Sequence, residues 1–140
     1  MIRLQNMGVE PFLVSSTVEG IMAQRLLRSN CSQCTVETRP EPGLLAESGL
    51  SAEKAADFRF RQGRGCAHCR GTGFRGRRAI GELLVMNDEF RRMIASRVPA
   101  RELKDAARAA GTRTLREAAI DLVRRGETTL EEANRVTLVE

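Results

Sequence analysis

The sequence contains no tryptophan and no tyrosine, and its aromatic side chains are limited to five phenylalanines. A platform that stacks single-stranded nucleic acid on aromatic rings therefore has few residues from which it could be built. Because 41% of the 140 residues are hydrophobic, aliphatic side chains and alanine must fill the core. This composition favours helices.

Long apolar runs are also missing from the sequence. No stretch approaches the roughly 18 apolar residues that span a bilayer, and the N-terminal sequence MIRLQNMGVEPF lacks the apolar run of a secretory signal. These absences predict a soluble, cytoplasmic protein. In such a reducing compartment, clustered cysteines bind metal more often than they form disulfides.

Basic residues outnumber acidic ones by 23 to 18, which gives a net charge of +5. Thirteen of the basic residues lie between Arg59 and Arg108. Such a face could meet nucleic acid, nucleotide phosphates, anionic lipid or an acidic protein. It could equally be the solvated surface of helices that carry both signs of charge.

In the first half of the chain, periodicity and turn residues predict short elements. A helix is expected to end at Gly8, and a second one is expected over residues 17–28, where apolar residues recur at helical spacing. Proline and glycine predict a loop at residues 39–43, and a short helix is expected at 51–58. We interpret the N-terminal residues as the end of a larger domain that begins before this sequence.

The chain is predicted to be mainly helical after residue 87. A strand is expected first, at residues 77–86, and helices are expected at 88–96 and 100–110. Two more helices, at 114–125 and 129–136, begin with the threonine–glutamate pattern of a capping box. In that motif the hydroxyl and the carboxylate satisfy each other's free amides.

Four cysteines form two Cys-x-x-Cys pairs, Cys31/Cys34 and Cys66/Cys69, with 31 residues between the pairs. Two such pairs can complete a tetrahedral site of four thiolates around one zinc ion, which leaves no position for water and is therefore structural. A redox-active pair, which would need a βαβ context, and inert buried cysteines are the alternatives. His68 is expected to be an exposed residue of the second pair's turn, although it could replace a cysteine as ligand.

Residues 69–77 combine three glycines, three arginines and one phenylalanine. The glycines permit a sharp turn that leads from the second cysteine pair into the predicted strand. The segment could serve as a turn alone. Alternatively, Arg75 or Arg77 could meet a phosphate or a base, because a guanidinium combines permanent charge with forked donors.

Several segments, taken in their order along the chain, resemble one known family. They are MGVEPFLVSS, GIMAQRLLR, the first cysteine pair, GCAHC, TGF, GR, IGELL, and the later residues 114–115, 126, 128–129 and 131–132. This order resembles the C-terminal part of the type II secretion and type IV pilus assembly ATPases.

The resemblance implies an α/β fold: part of a RecA-like C-terminal domain that carries a zinc-binding four-cysteine insert. By this resemblance, residues 1–30 would be the end of the RecA-like core and residues 31–76 would be the zinc-binding subdomain. Residues 77–140 would be a C-terminal strand and helical bundle. In the family the four cysteines bind Zn²⁺, and an arginine that corresponds to Arg77 lies near the nucleotide in some members.

The resemblance also implies that the full-length parent is a hexameric cytoplasmic ATPase that uses ATP and Mg²⁺. It would sit beneath an inner-membrane platform and power type II secretion or type IV pilus assembly. Arg3, Arg25 and the helices after Asp88 would then contact neighbouring domains or subunits, and no nucleic acid is expected as a partner.

No Gly-x-x-x-x-Gly-Lys-Ser/Thr phosphate loop and no acidic Mg²⁺ cluster occur in the sequence, so we expect the chain itself to be non-catalytic.

Two other functions are open. A free-standing zinc module could bind nucleic acid or another protein, although the basic residues are spread over several predicted elements and not gathered on one recognition helix. The pattern Cys66-x-x-Cys69-x-Gly71-x-Gly73 also resembles the cysteine–glycine repeat of DnaJ-type co-chaperones. No glycine follows Cys34 closely, so that repeat would occur once.

Overall fold

Short helices and strands alternate in the first part of the chain, and helices dominate the second part. The computed structural model describes residues 2–137. The helices are α1 (Ile2–Asn6), α2 (Pro11–Thr17), α3 (Pro42–Glu47), α4 (Asp88–Ala95), α5 (Ala100–Ala109), α6 (Leu115–Arg124) and α7 (Leu130–Thr137). The strands are β1 (Gly20–Asn30), β2 (Thr35–Glu37), β3 (Arg61–Gly63) and β4 (Phe74–Val85). Within the described range, no helix has the length and apolar character that a membrane crossing requires.

The strands form two small sheets, one from β1 and β4 and one from β2 and β3. The second sheet is antiparallel, and its register pairs Thr35 with Gly63 and Glu37 with Arg61. A 3₁₀ helix at Ala67–Cys69 connects β3 to β4. The mixed α/β composition and the helical character after residue 87 are thus confirmed.

One compact unit consists of Met1–Ala23 and Glu82–Thr114. Its buried core contains Phe90 and Ile94, which lie one turn apart on α4 and so face the same side. The helix begins after Asn87, whose side-chain oxygen accepts a hydrogen bond of 2.8 Å from the Phe90 amide. The remaining buried core residues of this unit are Val14, Met86 and Ala107.

A second compact unit consists of Gln24–Gly81 and Leu115–Glu140. Its core joins β1, β4, α6 and α7 through aliphatic residues, as the composition predicts. The buried members are Leu27, Ile80, Ala119, Leu122, Val123, Leu130 and Ala133. This unit contains all four cysteines. The three-part division at residues 30/31 and 76/77 stays a prediction, and its outermost residues, 1 and 138–140, lie outside the described residues.

The helix predicted at residues 17–28 is wrong, because α2 ends at Thr17 and strand β1 follows from Gly20. Pro11 occupies the first position of α2. At this position its fixed φ suits the helix, and its missing N–H removes no hydrogen bond of the helix. In the strand, Leu27 is buried, whereas Met22 and Leu26 are exposed. Apolar spacing alone could not exclude a helix, because the decisive contact is the pairing with β4 about fifty residues later.

The loop at 39–43 and the helix at 51–58 are also corrected. The helix, α3, lies at Pro42–Glu47, and residues 52–57 form turns. Pro42 is again an N-terminal helix residue, and Leu44 and Leu45 pack on the core of the second unit. A helix of six residues is unstable alone, and the packing of Leu44 and Leu45 on the core stabilises it.

The later elements follow the predicted ones closely. β4 begins three residues earlier than the predicted strand, and α4 to α7 each begin and end within one residue of prediction. The capping box at Thr129 is half formed: its hydroxyl accepts a hydrogen bond of 3.2 Å from the Glu132 amide. The Glu132 carboxylate is engaged elsewhere, with Arg28 and Arg135.

Candidate metal centre

The four cysteine sulfurs converge on one point. Their Sγ atoms all lie within 4.8 Å of one another. The Sγ–Sγ distances are 3.9 Å for Cys31–Cys66, 3.8 Å for Cys34–Cys69 and 3.8 Å for Cys66–Cys69. A tetrahedral zinc ion with Zn–S bonds of about 2.3 Å places its ligands about 3.8 Å apart. The cluster therefore has the size of a zinc–tetrathiolate site.

The first cysteine pair lies in the turn between β1 and β2. The Cys31 amide donates a hydrogen bond of 2.9 Å to the Gly73 carbonyl, and this bond ties the turn to the second pair's segment. The Cys34 amide donates to the Cys31 carbonyl over 3.3 Å. Cys31 is fully buried and Cys34 is half-buried, so this side of the cluster is largely shielded from water.

The second pair is held by the 3₁₀ helix and the glycine-rich turn after it. Arg70 has a left-handed backbone with φ of 54°, and Gly71 follows with φ of 78°. This reversal lets the Gly71 amide donate a hydrogen bond of 2.9 Å to the Cys66 carbonyl. The sharp turn expected from the glycine run is therefore present.

Backbone amides point at the sulfur of Cys69. The amides of Cys66 and Gly73 each donate to Cys69 Sγ over 3.2 Å. Burial raises the pKa of this thiol, but those two amides and the neighbouring thiols outweigh burial and lower the pKa to about 6. Donors of this kind favour the thiolate form that binds metal.

The pKa of the Cys34 thiol is shifted in the opposite direction. Burial, with hydrogen bonds to the other three thiols, raises its pKa to about 12, although the Gly65 backbone opposes the shift. The two opposite pKa shifts of Cys34 and Cys69 have one physical cause, because four thiols in contact cannot all ionise unless positive charge is present. A divalent cation would displace the protons that remain. The donor set, four sulfurs and no oxygen, fits zinc and not Mg²⁺ or Ca²⁺.

Two glycines permit the close packing around the cluster. A Cβ atom at Gly63 would lie 2.0 Å from the Gly73 carbonyl oxygen, and one at Gly73 would lie 2.4 Å from the Gly63 carbonyl oxygen. Two backbones touch here with no space for a side chain. Gly63 was missed in the sequence analysis, although the spacing Gly63-x-Gly65-Cys66 is a usable signal for close backbone approach.

The sequence matches the family described as "Type II/IV secretion system protein" over residues 1–135. The chain belongs to this family. The resemblance found in the ordered segments of the sequence is therefore confirmed.

Several relatives of this type II/IV secretion family are close in sequence. The type IV pilus assembly ATPase PilB of Thermus thermophilus is 46% identical over 130 residues, which are 93% of this chain and 15% of the relative. The type II secretion system protein HxcR of Pseudomonas aeruginosa is 42% identical over 135 residues, 96% of this chain and 25% of the relative. The type II secretion system ATPase E of Vibrio cholerae is 38% identical over 137 residues, 96% of this chain and 26% of the relative. This chain thus spans about one quarter or less of the length of each of these relatives.

The other predicted site residues of this secretion-family chain, His68, Arg75 and Arg77, lie outside the group of four cysteines. His68 lies in the 3₁₀ helix and is half-buried, so it is less exposed than expected. The group of possible metal ligands found among residues 2–137 consists of the four cysteines and does not include His68. Arg75 donates a hydrogen bond of 2.6 Å to the His68 carbonyl. Arg77 is exposed on β4, and its contact with a nucleotide stays a prediction.

An ion-pair cluster that sequence reasoning missed lies beside the cysteine turns. The Glu132 carboxylate on α7 is fully buried and accepts hydrogen bonds of 2.7–3.0 Å from the Arg28 guanidinium and backbone amide. Arg135 adds two more, of 2.6 and 2.9 Å. The Arg28 guanidinium also lies over the Phe74 ring, 4.2 Å from its centroid. One arginine therefore connects α7 to the turn that follows Cys69.

Proposed function

We propose that this chain is the zinc-bearing C-terminal part of an ATPase that powers type II secretion or type IV pilus assembly. The observation that carries the proposal is the four-sulfur cluster, with Sγ–Sγ distances of 3.8–3.9 Å, in a chain of the type II/IV secretion family. Relatives named as pilus and secretion ATPases support the parent's activity.

The proposed role of the cysteine cluster is structural. Four thiolates saturate a tetrahedral ion, so no coordination position remains for a substrate or an activated water. Zn²⁺ bound by Cys31, Cys34, Cys66 and Cys69 would join two hairpins that are far apart in the sequence. The binding energy would then act as folding energy for this part of the molecule.

The proposed parent is a cytoplasmic hexamer that hydrolyses ATP with Mg²⁺ and works beneath inner-membrane platform proteins. In this proposal Arg77 faces the nucleotide, since its guanidinium is exposed and forms no ion pair with any residue in the range 2–137. Arg3, Arg25 and the helices from Asp88 onward would contact neighbouring domains or subunits.

Metal analysis of the purified chain tests the zinc assignment. We expect one zinc ion per chain by mass spectrometry under metal-free handling. Cys69→Ser should remove most of it, because an alcohol does not replace a thiolate as a zinc ligand. The matched control is Ser32→Ala, a change at an exposed position of the first turn, which should retain one zinc. A folded wild-type protein without metal in both reducing and oxidising buffers would refute the assignment.

Nucleotide binding by the full-length parent tests the role of Arg77. We expect Arg77→Ala to weaken ATP binding by about tenfold or more, the value of one charge-assisted contact. Arg39→Ala is the charge-matched control, because Arg39 is also exposed and lies outside the proposed site. Equal affinities of both variants and the wild type would refute the nucleotide contact while leaving the zinc assignment intact.

A further inference from the structure

The four cysteines differ in their exposure. Cys31 and Cys69 are buried, whereas Cys34 and Cys66 are half-buried, so each Cys-x-x-Cys pair combines one shielded residue with one that a small solute can approach. The oxidation of cysteine depends on exposure and on thiolate character, and the ligands of a zinc–tetrathiolate site are thiolates. Hydrogen peroxide, a small neutral oxidant, is therefore expected to react first at Cys34 or Cys66.

Each half-buried cysteine contacts a buried cysteine of the other pair. The Sγ atoms of Cys66 and Cys31 are 3.9 Å apart, and those of Cys34 and Cys69 are 3.8 Å apart. We call these two the cross-pair contacts, and together they include each of the four sulfurs once. A disulfide has an S–S distance of about 2.05 Å, so each sulfur would have to move by about 0.9 Å. Cross-pair disulfides thus need small side-chain movements and leave no free thiol.

Oxidation that begins at Cys34 leads to two cross-pair disulfides. Its contact with Cys69 gives the first bond, and the two sulfurs that remain, those of Cys31 and Cys66, are already in contact. Oxidation that begins at Cys66 has two partners at similar distances, because Cys69 of the same pair lies 3.8 Å away. A bond inside the second pair would leave the two cysteine turns unconnected by that sulfur. The pairing therefore distinguishes a bridge between the turns from a bond within one turn.

The backbone holds the two cysteine turns face to face through contacts that do not involve the sulfurs. The Cys31 amide donates a hydrogen bond of 2.9 Å to the Gly73 carbonyl, and the Arg64 amide donates one of 3.0 Å to the Cys34 carbonyl. Gly63 and Gly73 also pack so closely that a Cβ atom on either would meet the carbonyl oxygen of the other. These contacts favour the cross-pair bonds, because they keep sulfurs of opposite turns together while the metal leaves.

We propose that the cysteine cluster is a site of reversible oxidation, at which peroxide replaces the zinc ion with the disulfides Cys31–Cys66 and Cys34–Cys69. This inference rests on the proposed structural role of zinc at the same residues. Both forms of the cluster connect the two turns, one through the ion and the other through covalent bonds. Each disulfide also joins residues that are 35 positions apart, which restricts the unfolded chain. The oxidised chain therefore keeps β2 and β3 folded after the metal has left.

Each disulfide forms in two steps and consumes one molecule of hydrogen peroxide. In the first step, the thiolate sulfur of a half-buried cysteine attacks a peroxide oxygen and the O–O bond breaks, which gives a sulfenic acid and a hydroxide that is protonated to water. In the second step, the partner thiolate attacks the sulfenic sulfur, the S–O bond breaks, and a second hydroxide is protonated to water. Two thiolates thus lose two electrons to one peroxide, which takes up two protons. Two disulfides use two peroxides and four protons, and Zn²⁺ is released.

Peroxide treatment of the zinc-loaded 140-residue chain tests this proposal. Zinc is first counted in the reduced chain by mass spectrometry, and its release is then followed with a chromophoric chelator. We expect the release of one zinc ion per chain with the loss of all four free thiols, and dithiothreitol with added zinc should restore both. Irreversible loss of zinc would overturn the proposal, because sulfinic or sulfonic acids would then have formed. Zinc retained under peroxide would overturn it and leave the zinc role intact, whereas a reduced chain without zinc would refute both.

Tryptic peptides of the oxidised chain identify the pairing. Trypsin cleaves after lysine and arginine except before proline, so the first cysteine pair lies in peptide 29–54 and the second in peptide 65–70. We expect the two peptides to migrate as one linked product in the absence of reductant, and fragmentation of this product should show both cross-pair bonds. Two separate peptides with internal disulfides, or the opposite pairing between the peptides, would overturn the proposal.

Hydrogen exchange with mass spectrometry tests whether the disulfides replace the ion. In the oxidised, zinc-free chain, amides of β2 and β3 should exchange within about tenfold of the zinc-loaded rate, whereas the reduced, chelated chain should exchange about 100-fold faster or more. Cys31→Ser/Cys34→Ser is the control, because it retains the second pair but permits no bridge between the turns. Peroxide should not slow exchange in this variant. Oxidised wild type that exchanges as fast as the reduced, chelated chain, or an equal protection of the control by peroxide, would overturn the proposal.

Discussion

The carboxylate of Glu132 is buried and forms ion pairs with two arginines. Its side chain has no exposed surface, while its partners Arg28 and Arg135 are about half exposed. Burial raises the pKa of this carboxyl, but hydrogen bonds from Arg135 and Arg28 outweigh burial and lower the pKa to about 2. A buried charge of this kind is stable only while its donors remain in place.

We predict that Glu132→Gln destabilises the chain by about 2–3 kcal/mol, since it removes charge-assisted hydrogen bonds and leaves two guanidiniums without a carboxylate. The measurement is urea unfolding at pH 7. Glu131→Gln is the matched control on the exposed side of α7 and should change stability by less than about 0.5 kcal/mol. Equal effects of the two variants would contradict a structural role for the buried carboxylate.

The same pKa shift predicts a pH dependence. Because the carboxyl titrates near pH 2 in the folded chain and near 4.5 otherwise, the unfolded chain binds the extra proton first as pH falls. The stabilisation is therefore complete above about pH 4.5 and is lost between pH 4.5 and 2. Unfolding free energies measured across this window should converge for wild type and Glu132→Gln. A constant difference between them down to pH 2 would contradict the assigned ionisation.

The packing of β3 against the turn before β4 depends on two glycines. A methyl group at Gly63 would lie 2.0 Å from the backbone oxygen of Gly73. Relief would require the two segments to separate, which would also move the Cys66/Cys69 turn. The two glycines therefore affect the geometry of the cysteine cluster, although neither offers a side chain as a ligand.

We predict that Gly63→Ala destabilises the chain by about 2–3 kcal/mol, in the range of overpacking, and weakens zinc binding in competition with a chromophoric chelator. Gly43→Ala is the matched control, because a Cβ there meets nothing within 4 Å and the residue lies in α3. It should be neutral or stabilising by up to about 1 kcal/mol. A tolerated alanine at position 63 would show that the two backbones do not touch.

The molecule as a whole has two compact units, each with its own apolar core. Their dependence on metal should differ. β2 and β3 have three residues each, and a two-stranded sheet of that size is marginal in water. The first unit contains none of the four cysteines.

We predict that chelation of zinc accelerates amide exchange in β2, β3 and the Ala67–Cys69 helix by 100-fold or more, while α4 retains its protection. The reason is that a bound zinc ion would stabilise the cysteine turns, which have little apolar core of their own, whereas burial of Phe90 and Ile94 stabilises α4. Hydrogen exchange with mass spectrometry measures both regions in one sample, and added zinc should restore the exchange rates. Unchanged exchange in β2 and β3 after complete zinc removal would contradict a structural ion.

Local chemistry in the sequence was enough to identify the four cysteines, the family resemblance and the helices after residue 87. Each of these rests on residues close together in the chain: two thiols two residues apart, a cap before an amphipathic run, or an ordered set of short segments. Such patterns predict a helix or a set of metal ligands from neighbouring residues alone, whatever the tertiary fold of the remaining chain.

Contacts between residues that are far apart in the sequence determined the features that the sequence did not predict. β1 is a strand because β4 pairs with it, and α3 is stabilised by the packing of Leu44 and Leu45 on a core that distant residues form. The role of Glu132 depends on Arg28, 104 residues away, and that of Gly63 on the backbone of Gly73. A linear sequence carries no distances between such residues. Only folding brings them together, and their packing then overrides local preference.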